Sequence, residues 1–268
     1  MAEAVPSRQQ RRARLRQLRH AGEAVVAEGL PAKNAIEPTV ALARILIDTL
    51  TSNAPDRARA AADIAQRTMD RSLERHPGPA VACRKGCSHC CSNFIAASIP
   101  EVLAVAAAVG EFAPESGDAL ATRLASANAD GRDWSGGQRQ TISQPCPLLV
   151  DHACSVYRSR PLGCRGYAST SVDICVQALT EDSVTIPTPN SFVFFRTRTT
   201  TALWAALKAV DLPNASYDLN AALTVAMANR EAERQWLAGS DPFAGVRTDR
   251  SRSADVEPFL DRLIAGAT

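Results

Sequence analysis

Nowhere in its 268 residues does this chain run for the roughly 18 unbroken apolar residues that a membrane-spanning helix needs, and Met1 is not followed by an apolar segment of the secretory kind. The expectation is a soluble cytoplasmic protein with no membrane span. Charge is nearly balanced, and a formal net charge of +2 gives no general attraction to nucleic acid. Also missing are the Gly-x-Ser-x-Gly elbow, the phosphate-cradling Walker loop, the dinucleotide fingerprint and the His-Glu-x-x-His pair, so none of the chemistries those motifs support has a foothold. There is no internal repeat and no convincing run of alternating strand residues. Eight cysteines in a chain of this length are too sparse for a disulfide scaffold, and the chain is long enough to build a core without one.

Those cysteines are nevertheless concentrated. Cys83, Cys87, Cys90 and Cys91 fall within nine residues, in Cys83-Arg-Lys-Gly-Cys-Ser-His-Cys-Cys91, and a helical backbone there would gather three or four sulfurs on one face. Thiolates held together repel one another unless a cation lies among them, and zinc or cluster iron suits sulfur best. A second group, Cys146, Cys154, Cys164 and Cys175, occupies a segment broken by Pro145, Pro147, Pro161 and Gly163, where regular structure should be short. The spacings in this group match no common zinc finger. Adjacent Cys90 and Cys91 serve one tetrahedral ion poorly, because neighbouring side chains point apart; an iron–sulfur cluster accepts such a pair more easily. The competing readings are thiols buried as ordinary core and a redox disulfide relay. Polar Arg84, Lys85, Ser88 and His89 between the sulfurs argue against a core stripe. His89 and His152 sit among better sulfur donors and read as exposed histidines. Arg160 and Arg165 are expected to offset the charge of a sulfur-rich site.

Around these segments the pattern is helical. Helices are expected near 38–52 (Leu42, Ile45, Leu46, Leu50) and 56–76 (Ala61, Ala65, Met69, Leu73), with Pro77-Gly78-Pro79 ending the second. Ser98-Ile-Pro-Glu101 has the form of a capping box, Gly110 is a natural stop, and 117–128 suits another helix. Asp130 to Pro145 reads as a long polar loop. Helices near 191–211 and 217–237, divided by Pro213, suggest an antiparallel hairpin. The expected fold is mainly α, an irregular multi-helix bundle around a loop-rich cysteine-cluster metal site. Its parts are a basic helical arm over residues 1–30, a domain over 31–238 with its metal-binding core at about 80–175, and a flexible link with a short terminal helix over 239–268. The arm carries six arginines in its first twenty residues and reads as a solvated face rather than a nucleic-acid site.

Ala82-Cys-Arg-Lys-Gly-Cys-Ser-His-Cys-Cys91, then Cys146-Pro-Leu-Leu149, then Cys154-Ser-Val-Tyr-Arg-Ser-Arg-Pro-Leu-Gly-Cys-Arg165 resemble the YkgJ-type cysteine-cluster family. That family is described as zinc- or iron-chelating, and a related cluster occurs in flagellin lysine N-methylases. The resemblance covers about residues 80–175. It implies chelating roles for Cys87, Cys90, Cys91, Cys146, Cys154 and Cys164, with Cys83 and Cys175 as further candidates. Tyr157, Arg160 and Arg165 belong to the same signature as supporting residues. The function expected is metal binding through two cysteine segments, with zinc or an iron–sulfur cluster as cofactor. Two alternatives are an iron–sulfur enzyme of protein modification or electron transfer, and a protein-partner or nucleic-acid module built on structural zinc.

Overall fold

The computed structural model describes residues 36–131, 145–181, 184–248 and 256–268. The basic arm and most of the polar loop before Pro145 lie outside the described residues. What is described is mainly helical, with ten α-helices and two short two-stranded ladders. Among the described residues no helix is long and apolar enough to cross a membrane.

Helices α1 (Ile36–Leu50) and α2 (Arg57–Arg75) begin the bundle. The inner face of α2 is Ala58, Ala61, Ala62, Ala65 and Met69, all with no exposed surface, and such small residues let neighbouring backbones approach closely. Ile45, expected on the inner face of α1, is instead half exposed, because the buried stripe runs through Val40, Ala43, Leu46 and Leu50. The long α7 (Asn190–Ala209) lies against α1 and α2 and presents Ala202, Leu203, Ala206 and Leu207 to the core. Near the end of the chain, α10 (Val256–Ala267) buries Phe259, Leu260 and Leu263 between α1 and α7. In the stretch expected as a flexible link, Phe243 is completely buried in the same core.

A second, smaller core carries the site. Helix α3 (Ile99–Val109) opens with the expected capping box: the Ser98 backbone N–H (2.9 Å) and hydroxyl (2.6 Å) both donate to Glu101 Oε2. Val105 and Val109 of α3 meet Leu120 and Leu124 of α4 (Pro114–Gly131), together with Leu148, Val156 and Leu223. The expected hairpin between 191–211 and 217–237 does not form. Strand β1 (Ala96–Ala97) pairs antiparallel with Tyr217–Asp218, the last strand among the described residues, and this pairing turns the following helix away from α7 and onto α3 and α4. The stretch also breaks into two helices, Leu219–Ala228 and Ala232–Leu237. The Asn229 side chain accepts from the Glu231 N–H (3.1 Å) and donates to Gln235 (2.8 Å), so local bonds replace the helical ladder.

Candidate metal centre

The first cysteine segment is not the helix its spacing suggests. Residues 83–88 form an irregular loop in which the Cys87 N–H closes a turn onto the Arg84 carbonyl (2.9 Å), with Gly86 at φ +86°, a conformation glycine adopts without a Cβ clash. Only His89–Ser92 winds, as a single 3-10 turn. The strand β1 that follows fixes this segment to the bundle, because the Leu219 N–H donates to the Ile95 carbonyl (3.0 Å) beside the ladder.

The second segment is a tight hairpin. β2 (Leu149–Val150) and β3 (Ala153–Cys154) pair across Asp151-His152, whose φ values of 49° and 60° are those of a two-residue turn twisted to match the strands. Asp and His tolerate this left-handed region better than most side chains. The turn brings His152 to the first segment, with Nδ1 3.4 Å from the Ser88 hydroxyl. Directly between the segments, the Cys146 N–H donates to the Cys91 carbonyl (2.8 Å). Leu148 and Val156 then anchor the hairpin in the smaller core, and the partly buried Cys146 and Cys154 pack against that core.

Between the segments lies a cavity of about 450 Å³, lined by Cys83, Cys87, Cys90, Cys91, Cys146, Cys154 and Cys164. Seven of the eight sequence-predicted cysteines are thus brought together. Cys175 is buried in the short helix Val172–Gln177, which packs against the His89–Ser92 turn and does not line the cavity. All eight are free thiols. The sulfurs ring the wall rather than converge: among the described residues, no three His, Cys, Asp or Glu side chains close around one ion position.

Without a cation, burial works against ionisation here. It pushes the Cys146 thiol up to about 11, holds Cys164 well above the ordinary thiol value and raises Cys154 and Cys83. Cys90 is raised chiefly by its hydrogen bond to Cys91, with burial second. Opposing this, Cys83 accepts the Ser169 backbone N–H (3.4 Å), and the nearby backbone of Leu148 and of Val156 favours the thiolates of Cys146 and Cys154. Such donors favour the thiolate, and hydrogen bonds to sulfur are among the features that tune a metal–sulfur centre. The donor set fits a thiophilic metal: clustered soft sulfur, N–H groups aimed at it, and cationic side chains close by.

The supporting residues separate into two roles. Arg160 lines the cavity, its positive charge favours the thiolates of Cys90, Cys154 and Cys164, and its guanidinium stacks on Tyr157 at 3.7 Å from the ring centre. Tyr157 itself stands largely in solvent. Arg165 is absent from the cavity wall. Its buried guanidinium pairs with Asp70 of α2 and donates to the carbonyls of Arg158 and Arg160 (2.8 Å to the latter), holding the loop in front of Cys164. His89 does not line the cavity either.

Three further contributors are not apparent from spacing. Glu101 caps a second helix as well as its own, because its Oε1 accepts from the Leu162 N–H (2.7 Å) at the start of the five-residue helix Leu162–Gly166 that carries Cys164. Arg123 of α4 donates to the Pro147 carbonyl (2.8 Å) and places its charge near Cys146. Ser169 both bonds to the Cys83 sulfur and accepts from the Ala82 N–H (2.8 Å). The capping box was a signal for Glu101, but its second oxygen bonds a residue 61 positions away.

Among known families, residues 82–186 match CxxCxxCC, described as "Putative zinc- or iron-chelating domain". No curated protein and no solved structure significantly matches the chain. The matched span contains all eight cysteines and every residue lining the cavity except Leu219, so the walls of the cavity come almost entirely from the part of the chain that is similar to the CxxCxxCC cysteine-cluster family, whose description supports metal binding by its cysteines.

Proposed function

We propose that this protein binds a polynuclear metal–sulfur centre, an iron–sulfur cluster before zinc, between its two cysteine segments, within a helical domain over residues 31–238. The observation that carries this reading is that two segments far apart in sequence place seven thiols on the wall of one cavity. Zinc at a structural site takes four ligands at a point, whereas a cluster spreads its metal atoms and gives each one terminal thiolate. A roomy ring of sulfurs that includes adjacent Cys90 and Cys91 suits the second geometry better. Zinc remains the second reading because the matched family is described with both metals. Eight free thiols accord with a reducing compartment such as the cytoplasm.

A bound cluster would supply one-electron chemistry, and the chain's own residues would hold it, offset its charge through Arg160 and donate backbone N–H groups to its sulfurs. The test is anaerobic purification with elemental analysis and absorption spectroscopy. Iron, with a broad band at about 400 nm, is the expected result. A colourless protein with stoichiometric zinc would select the second reading, and protein that takes up neither metal on reconstitution would end both.

A further inference from the structure

We propose that the chain carries a second binding site, for a small aromatic carboxylate, in a pocket that shares a wall with the cysteine cavity, with Arg196 as the residue that holds the carboxylate. The site does not depend on which metal the sulfurs take.

The pocket encloses about 350 Å³, within the range of small-molecule sites. One wall is a single face of α7, where Arg196, Thr200 and Trp204 recur every four residues and so stack along one side of the helix. Another comes from residues 94–96, which lead into β1, and from Ser216, just ahead of the strand that pairs with β1. Ile95 and Tyr167 line this pocket and the cysteine cavity alike, so a bound molecule would lie one side chain away from the sulfurs.

Arg196 is held in place rather than free to swing. Its stem packs so closely on Gly166 that a Cβ there would stand 2.3 Å from its Cδ, and its guanidinium lies 5.7 Å from the centre of the Tyr167 ring. Yet among the described residues this guanidinium has no carboxylate partner and donates no hydrogen bond. Glu101, the acidic residue of the wall, already spends its oxygens on Ser98 and Leu162. Arg247, whose guanidinium stands over the Phe94 ring, is itself paired with Asp218 (3.3 Å). The hydroxyls differ in the same way. Those of Thr197 and Thr201 donate back to carbonyls of their own helix (2.9 and 2.7 Å), whereas those of Thr200 and Ser216 make no hydrogen bond among the described residues.

A fixed guanidinium without a partner, beside two open hydroxyls, matches a carboxylate, which takes a guanidinium as a two-bond fork and has lone pairs left for hydroxyl donors. One cation balances one negative charge, which favours a monoanion over a phosphate dianion. Trp204, Phe94 and Tyr167 supply ring surface for a flat apolar body.

Titration calorimetry of the full-length protein with naphthoate tests the site, beside acetate, which has the charge without the rings, and naphthylmethylammonium, which has the rings with the opposite charge. Binding of one naphthoate per chain with a Kd of about 1 mM or tighter is expected, with no measurable binding of the other two. Arg196→Met keeps an apolar stem against Gly166 and removes the charge, and should weaken binding by about tenfold or more, the loss expected of a charge-assisted hydrogen bond. Thr200→Phe fills the pocket with the arginine still in place and should abolish binding, so the test survives if one variant fails to fold by circular dichroism. No binding of naphthoate, equal affinity for the ammonium, or wild-type affinity in either folded variant would overturn the proposal.

Discussion

Replacing Glu101 by alanine should destabilise the protein more than any other single change of a charged residue near the site. The side chain is buried and its two oxygens accept three hydrogens: the Ser98 N–H, the Ser98 hydroxyl and the Leu162 N–H. The hydroxyl can rotate to another acceptor, but the two backbone donors cannot. Each orphaned buried donor costs about 1–3 kcal/mol, and the one lost methylene adds about 0.8 kcal/mol. Against this stands relief of the burial penalty that raises the carboxyl above its ordinary 4.5. A net loss of about 3–5 kcal/mol follows, and at about 2–4 °C per kcal/mol for a domain of this size the melting temperature should fall by about 10 °C. The raised carboxyl also sets a sign. Its contribution is fully present below pH 4.5 and is lost as pH rises through the folded-state value, so the cost of Glu101→Ala should be larger at pH 4.5 than at pH 7. Glu101→Gln keeps the size without the charge and should flatten that pH dependence. Because the Leu162 bond sets the helix that carries Cys164, metal affinity should drop about 10–100-fold, as for other residues that orient a ligand. Calorimetry of metal-loaded and chelated protein measures both effects. A loss of under about 2 °C with wild-type metal affinity would refute the reasoning.

Other substitutions probe separate parts of the account. Gly166→Ala would place a Cβ 2.9 Å from Cβ and Cγ of Arg196, atoms too near the backbone to swing clear, so a loss of about 1–3 kcal/mol is expected by urea titration. Phe243→Ala, which empties a fully buried ring site at the end of the chain, should cost about 3–5 kcal/mol in the same assay; a cost under about 1 kcal/mol would remove residues 239–248 from the folded core. In chelated protein, the raised cysteines contribute stability that is complete below about pH 9 and declines as Cys146 passes about 11; bound metal should abolish that decline in thermal melts. A chain beginning at Leu30 should keep its metal and its melting temperature. Equal, negligible binding of mixed RNA by both lengths across a salt titration would fit the arm as a solvated face, and steeply salt-dependent binding by the full chain alone would not.

What could be read from sequence was whatever local chemistry decides. The helices at Ile36–Leu50, Arg57–Arg75 and Asn190–Ala209 begin and end within about two residues of where apolar periodicity and prolines place them, and the Ser98–Glu101 capping box forms as its residues specify. Long-range pairing was not legible. Two residues at Tyr217–Asp218, invisible as a strand on their own, dock on Ala96–Ala97 and redirect the helix Leu219–Ala228 that follows them. Cys83 to Cys91 has helical spacing, yet a left-handed glycine and the second segment's bonds to Ser88 and Cys91 hold most of it as a loop, so tertiary contacts overrode periodicity. Arg165 was expected to face the thiols. Its partner Asp70 lies 95 residues back on α2, and the guanidinium serves the backbone instead.

Sulfur ligation from both segments is the central claim, and X-ray absorption at the edge of the purified protein's own metal tests it most directly. The account predicts a first shell of sulfur alone, at about 2.3 Å, that loses amplitude or vanishes in Cys154→Ser and in Cys87→Ser. A shell dominated by nitrogen or oxygen, or one unchanged in both variants, would contradict it.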